Sequence, residues 1–213
     1  GTNSLDVRSF AETDGNGWRL NGQKIFISAV PQAQKMLVIA RTKKPENALK
    51  KTDGITMFMI DVAREGVTHN AIDKVGTRCV PASNVYFDNV PVHGDELVGT
   101  LHGGWPELLD VLNTERIVTT AGLVGTVELA LGLAVDYANQ RKVFGDRPIS
   151  SYQGLQFPLA QAHAEIECAR VMNHKAASLF DASEDFGGYA NIAKLIAAQA
   201  AAEGIERAMQ TMG

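Results

Sequence analysis

Between Pro106 and Pro148 the sequence carries no proline, and that interval is dominated by residues that favour helix. Pro106 suits the first turn of a helix, where its missing N–H removes no hydrogen bond. The stretch therefore predicts one helix of about 36 residues, about 54 Å long at 1.5 Å per residue. Apolar residues fall on every side of it between 117 and 135, and small ones recur at Ala121, Gly122, Gly125, Gly132 and Ala134. A helix of that kind is expected to be enclosed by other helices. Two further stretches, about 151–182 and 187–212, are rich in Ala, Leu, Ile and Glu and are separated near Gly187-Gly188. Three long helices with short connections imply antiparallel neighbours in an up-down bundle, with a fourth helix expected beyond Gly213.

The preceding part of the chain has a different texture. "WRL" and "QKIFIS" flank Asn21-Gly22, a dipeptide that accepts positive φ at both centres of a type I′ turn and so predicts a hairpin. "DGNG" at 14–17 supplies another turn. "MLVIAR" (36–41), "ITMFMID" (55–61) and "NVYFDNV" (84–90) are short β-branched or aromatic runs bounded by Gly, Pro, Asn or Asp. Strands without intervening helices argue for an antiparallel β-barrel or sandwich. The fold class is therefore α+β: a β-domain over 1–100, then an incomplete helical bundle over 101–213. "KKPENALKKTDG" (43–54) reads as a solvated charged loop, and no internal repeat is visible.

Charge and cysteine content narrow the function. A net charge of −4, with no basic run longer than Lys43-Lys44 or Lys50-Lys51, argues against nucleic acid as a partner. Cys79 and Cys168 are far apart and read as free thiols; neither they nor His69, His93, His102, His163 and His174 show metal-ligand spacing. No apolar run is expected to span a membrane, and the first residues do not form a signal peptide. These features suggest a cytoplasmic or organelle-matrix protein. Gly1 opens the chain without an initiator Met, so a piece of a longer protein is expected. Met57, Met59, Met172, Met209 and Met212 read as core filler.

One junction concentrates distinctive residues. "NQRKVFGDRPISSYQ", residues 139–153, places Arg141, Phe144, Gly145, Pro148 and Gln153 between the first long helix and the second. R-x-x-F-G followed by P-I and a Gln resembles the signature of the acyl-CoA dehydrogenase family. Four other segments are similar to family landmarks, in the same order: "GWRLNGQKIFIS", "DKVGTRCVPASNVYFDNVPV", "LNTERI" and "AMQTMG".

The resemblance implies FAD as cofactor and an acyl-CoA thioester as substrate. A carboxylate would take the α proton while a hydride leaves the β carbon for the flavin, and electrons would pass to an external acceptor such as an electron-transfer flavoprotein. It also implies a homodimer or homotetramer. Arg141 would reach the pyrophosphate of an FAD held mainly by a neighbouring subunit, and Phe144 and Gln153 would line its adenine side. Asp146-Arg147 makes the Phe-to-Gln interval one residue longer than the common pattern, so either Tyr152 or Gln153 could face the adenine. Phe26, Ile27 and Ser28 match the triplet beside the isoalloxazine, and Thr2 a hydroxyl residue near the pyrophosphate. Asn113 and Arg116 match positions that meet the CoA. Glu115, immediately before that Arg, matches the base of the isovaleryl-type branch; in most members the base lies further along.

Plainer roles stand beside these. Arg141 could cap its helix, Arg116 could pair with Glu115 or Asp110, and Glu115 could be a surface residue. Arg116 and Arg141, 25 positions apart, share a helix face about 37 Å apart, which suits phosphates at separated points. An oxygen-using acyl-CoA oxidase, a flavin monooxygenase or a catalytically inactive paralogue are the alternative functions on the same fold.

Overall fold

The computed structural model describes residue 3 and residues 5–213. The chain forms two compact units, one running to Leu108 and the other from Leu109 to Gly213. Residues 101–108 stay with the β unit because backbone groups tie them there. His102 N donates to Thr56 Oγ1 at 2.9 Å, and Gly104 N donates to Ile55 O at 2.9 Å. His102 Nδ1 also lies 2.7 Å from Thr42 Oγ1, and burial lowers the His102 pKa, with Lys43 adding to the effect.

The first unit is a seven-stranded sheet built from β1 (Phe10–Asp14), β2 (Gly17–Ser28), β3 (Lys35–Arg41), β4 (Ile55–Asp61), β5 (Val67–Ile72), β6 (Ala82–Val92) and β7 (Leu97–Val98). Its order is β5-β6-β2-β1-β3-β4-β7. Every adjacent pair is antiparallel except β1 with β3, which run parallel at the single pair Phe10–Arg41. The sheet is therefore mixed rather than purely antiparallel. Leu20, Val38, Phe58, Ile60, Val85 and Val90 form its core, with Trp18 tilted against Phe58 at 5.1 Å.

One turn expected in this unit is corrected, and the reading of one loop is extended. Asn21-Gly22 is not a hairpin turn, since β2 runs through it and pairs along its length with β6. The turn is Gly15-Asn16, closed by the Asp14–Gly17 pair. Gly22 has φ 135°, and a Cβ there would come within 2.7 Å of Ser9 Cα. The glycine thus serves a close backbone approach and a register shift opposite β6. The charged 43–54 loop keeps its lysines in solvent, yet its backbone is committed inward. Arg41 is buried and donates from Nη1 to Asp53 O (2.9 Å) and from Nη2 to Lys51 O and Leu5 O (2.8 Å each). Its Nε donates to Val7 O at 3.1 Å. Carbonyls from two segments thereby satisfy a guanidinium that would otherwise be costly to bury.

The second unit holds α1 (Trp105–Gln140), which starts in the first unit, then β8 (Lys142–Val143), β9 (Arg147–Pro148), α2 (Gln153–Asp181) and α3 (Gly187–Met212). α1 has the expected 36 residues. Val127 and Leu131 from α1, Ala162 and Ile166 from α2, and Ala197 and Ala201 from α3 share one core. Alanine-rich faces let these helices approach closely: a Cβ on Gly204 would lie 3.1 Å from Val127 Cγ1.

α1 is not enclosed within this chain. Val111, Val118, Leu129 and Leu133 are exposed, leaving an apolar face on the side of the helix opposite the one that packs. An 18-residue window of α1 has mean hydropathy 1.7, so by length and composition alone it could cross a membrane, contrary to the sequence expectation. Met57 is buried as expected, whereas Met209 is exposed and fills no core. Cys79 and Cys168 are both exposed free thiols. Among the described residues no group of three or more His, Cys, Asp or Glu is placed to hold a metal ion.

Candidate functional site

The junction between α1 and α2 is a small hairpin. Arg141 N donates to Tyr137 O at 2.8 Å, extending the helical hydrogen bonding by one residue. β8 and β9 then pair through Lys142–Pro148 and Val143–Arg147, and Ile149 N closes the base on Arg141 O at 2.9 Å. At the tip Phe144 has φ 49° and Gly145 φ 94°. Both residues are in the left-handed region, which Gly accepts and Asn tolerates, within a three-residue loop closed by the Val143–Arg147 pair. Phenylalanine in that first position is strained by roughly 1 kcal/mol or more.

Phe144 is 93% exposed, so no packing among the described residues offsets the strain. Arg141 and Gln153 are exposed as well, and among the described residues neither side chain makes a hydrogen bond or ion pair. Their neighbours do pair internally: Lys142 Nζ meets Asp146 Oδ1 at 3.0 Å.

The early part of α1 carries the second group. Arg116 Nη1 donates to Asn113 Oδ1 at 2.7 Å, in place of the ion pair to Glu115 or Asp110 that its sequence neighbours allow. Asn113 is also held by the start of α3, where a Cβ on Gly187 would lie 2.8 Å from Asn113 Nδ2. Glu115 is exposed and makes no hydrogen bond among the described residues. Helix geometry keeps Arg116 and Arg141 at opposite ends of α1, about 37 Å apart.

The third group lies on the β unit. Lys24 pairs with Val85 and Ile27 with Ser83, so β2 has one residue more than β6 between these pairs. Phe26 takes up the bulge with φ 58° and is 63% exposed. Bulges re-aim side chains and recur beside functional sites. Ile27 is half-buried and packs on the β core, so of the triplet Phe26 and Ser28 are the members open to a ligand. Thr2 lies outside the described residues.

Three features had no counterpart in the sequence reading. Burial lowers the Lys24 amine to about 8. Leu131, Val135, Leu155, Leu159 and His163 line a groove of about 600 Å3 between α1 and α2. Arg147 stacks on Tyr152 with its Cζ 4.6 Å from the ring centroid. The first two depend on contacts between distant segments; only the close spacing of Arg147 and Tyr152 could have signalled the third.

The unused groups at the junction fit a flavin dinucleotide. A guanidinium suits a pyrophosphate, an exposed aromatic ring suits apolar contact, and a free carboxamide can both donate to and accept from an adenine edge. The strained backbone under Phe144 is an independent sign that the tip is shaped for a ligand.

Comparison with known proteins gives the family. Residues 1–90 match the family model for the acyl-CoA dehydrogenase middle domain, and residues 102–213 match that for the acyl-CoA dehydrogenase C-terminal domain. Acyl-CoA dehydrogenase FadE12 of Mycobacterium tuberculosis is 38% identical over 215 residues, covering 100% of this chain and 54% of that protein. A 3-(aryl)acrylate reductase of Clostridium sporogenes is 34% identical over 214 residues, covering 100% and 55%. The structure of butyryl-CoA dehydrogenase from Megasphaera elsdenii superposes with a TM-score of 0.91 at 31% identity, covering 100% of this chain and 55% of that one. The chain thus spans about half the length of the curated relatives it matches. With both domain models matched in order and the whole chain superposing on a member, this chain belongs to the acyl-CoA dehydrogenase family.

Proposed function

We propose that the protein is an FAD-dependent dehydrogenase that introduces a double bond between the α and β carbons of an acyl-CoA thioester. The observation that supports this most is the junction, where a strained, exposed Phe144 stands between Arg141 and Gln153, and among the described residues neither polar side chain has a partner. Arg141 would hold the pyrophosphate of a cofactor bound mainly by a second copy, and Phe144 and Gln153 its adenine side. A homodimer or homotetramer follows from that arrangement. Phe26 and Ser28 would flank the flavin ring.

FAD held by these residues would supply the acceptor for the hydride that leaves the β carbon. Glu115 takes the α proton on its carboxylate, so that both C–H bonds break as the Cα–Cβ double bond forms. Arg116, oriented by Asn113, meets a phosphate of the CoA. An external acceptor such as an electron-transfer flavoprotein then removes the electrons. The same bond can be reduced in reverse, the sense in which the Clostridium relative is named, so the redox partner sets the direction.

Anaerobic titration of the full-length, FAD-loaded protein with a panel of acyl-CoA thioesters tests the reading. Flavin bleaching in the wild type but not in Glu115→Gln, with thioester binding retained, supports both the reaction and the base. Equal bleaching in both proteins moves the base elsewhere. Absence of bleaching with every thioester overturns the proposed reaction.

A further inference from the structure

The insertion at Asp146-Arg147 leaves two candidates, Tyr152 and Gln153, for the same polar contact. Their backbones diverge at that point. Tyr152 is extended (φ −95°, ψ 123°) and Gln153 is the first residue of α2, so the chain changes direction between them. The guanidinium of Arg147 covers the Tyr152 ring at 4.6 Å, and Arg147 Nε donates to Ser151 Oγ at 2.9 Å. Ser151 Oγ donates in turn to Pro148 O at 2.7 Å. Arg147 is also the cross-strand partner of Val143, the residue before Phe144. One side chain therefore links the hairpin carrying Phe144 to the residue preceding Gln153.

We propose that Arg147 and Tyr152 are positioning residues for the dinucleotide: their stack engages Tyr152 within the chain, holds the hairpin tip against the start of α2, and leaves Gln153 to contact the adenine. This rests on the FAD reading above. Holding Phe144 and Gln153 at a fixed separation before binding lowers the ordering cost of binding. The added residue in the junction is then what supplies the clasp, because it brings Arg147 into register with Val143.

The test is FAD affinity, measured by reconstituting the full-length apoprotein and following flavin fluorescence, with no turnover required. Tyr152→Leu and Arg147→Met are each expected to weaken binding about three- to fivefold, the size of an exposed cation–π contact. Tyr152→Phe keeps the ring and is expected to restore wild-type affinity. The double variant Arg147→Met/Tyr152→Leu is expected to be no weaker than either single variant, since both remove one contact. Gln153→Ala is expected to weaken binding in every background. The clasp is overturned if Tyr152→Phe weakens binding as much as Tyr152→Leu, which would make the tyrosine hydroxyl the ligand contact. It is also overturned if the two single losses add. Variants that match a wild type which binds FAD overturn the clasp alone; a wild type that takes up no FAD overturns the functional reading and the clasp together.

Discussion

Arg116 Nη1 donates to Asn113 Oδ1 at 2.7 Å, one helical turn apart on α1, and among the described residues the neighbouring Glu115 has no ionic partner. A neutral amide orients the cation without neutralising it, so the guanidinium keeps its charge for an anion. Asn113→Ala is expected to raise the KM for acyl-CoA about tenfold, the usual size of a hydrogen bond to a charged group. Its kcat should stay within about twofold, because uniform binding is what is lost. Steady-state kinetics on the full-length protein decide this. A fall in kcat at constant KM would instead place Asn113 at the reacting carbons.

Phe144 holds positive φ at the hairpin tip, where Asn is far better tolerated. Phe144→Asn is expected to stabilise the protein by about 1 kcal/mol while weakening FAD binding. Thermal unfolding of the apoprotein and FAD titration should therefore move in opposite senses. Loss of both stability and affinity would mean that the ring packs on protein rather than ligand.

Lys24 is predicted to destabilise the fold at neutral pH, since burial lowers its pKa from 10.5 to about 8. The neutral amine is favoured in the folded chain, so its contribution is full above pH 10.5 and is lost as pH falls through 8. Lys24→Met is expected to stabilise the protein by on the order of 1 kcal/mol at pH 7, with the gain shrinking towards zero by about pH 10.5. Urea denaturation at the two pH values checks this; an equal gain at both would mean that the amine is solvated.

Glu96 stabilises the fold at neutral pH where Lys24 destabilises it, although both contributions are lost as pH falls. Burial works against its ionisation, but the Arg64 hydrogen bond at 2.5 Å, the His93 N–H at 2.8 Å and the Arg64 charge hold its pKa below the usual 4.5. Its contribution is present above pH 4.5 and lost as pH falls through the lowered value. Glu96→Gln is expected to destabilise the protein by about 2 kcal/mol at pH 7. The stabilities of variant and wild type should converge as pH falls below 4.5 and through the lowered pKa; a constant gap would mean that size rather than charge matters at this position.

The helices were legible in the sequence almost to the residue. The proline-free interval predicts about 36 residues and α1 has 36, while α2 and α3 occupy Gln153–Asp181 and Gly187–Met212 against expectations of about 151–182 and 187–212. The strand runs at 36–41, 55–61 and 84–90 lie within or coincide with β3, β4 and β6. The site residues were legible mainly as motifs. The motif singled out Phe144 but not its exposure or positive φ, and Ile27 looked equivalent to Phe26 until the bulge set them apart.

Read alone, then, the sequence determined the α+β class, the helix spans, the family and the identity of the candidate clamp. Helical period, proline placement and short motifs are local, and local information survives in a linear string. Tertiary structure decided the rest. It made Asn21-Gly22 a close approach to Ser9 instead of a turn, and it satisfied Arg41 with carbonyls from the 5–7 and 51–53 segments. It also left an apolar face of α1 exposed and stacked Arg147 on Tyr152. Each of these outcomes depends on where a second piece of chain settles, because backbone approach, burial and hydrogen-bond satisfaction belong to pairs of segments rather than to either alone.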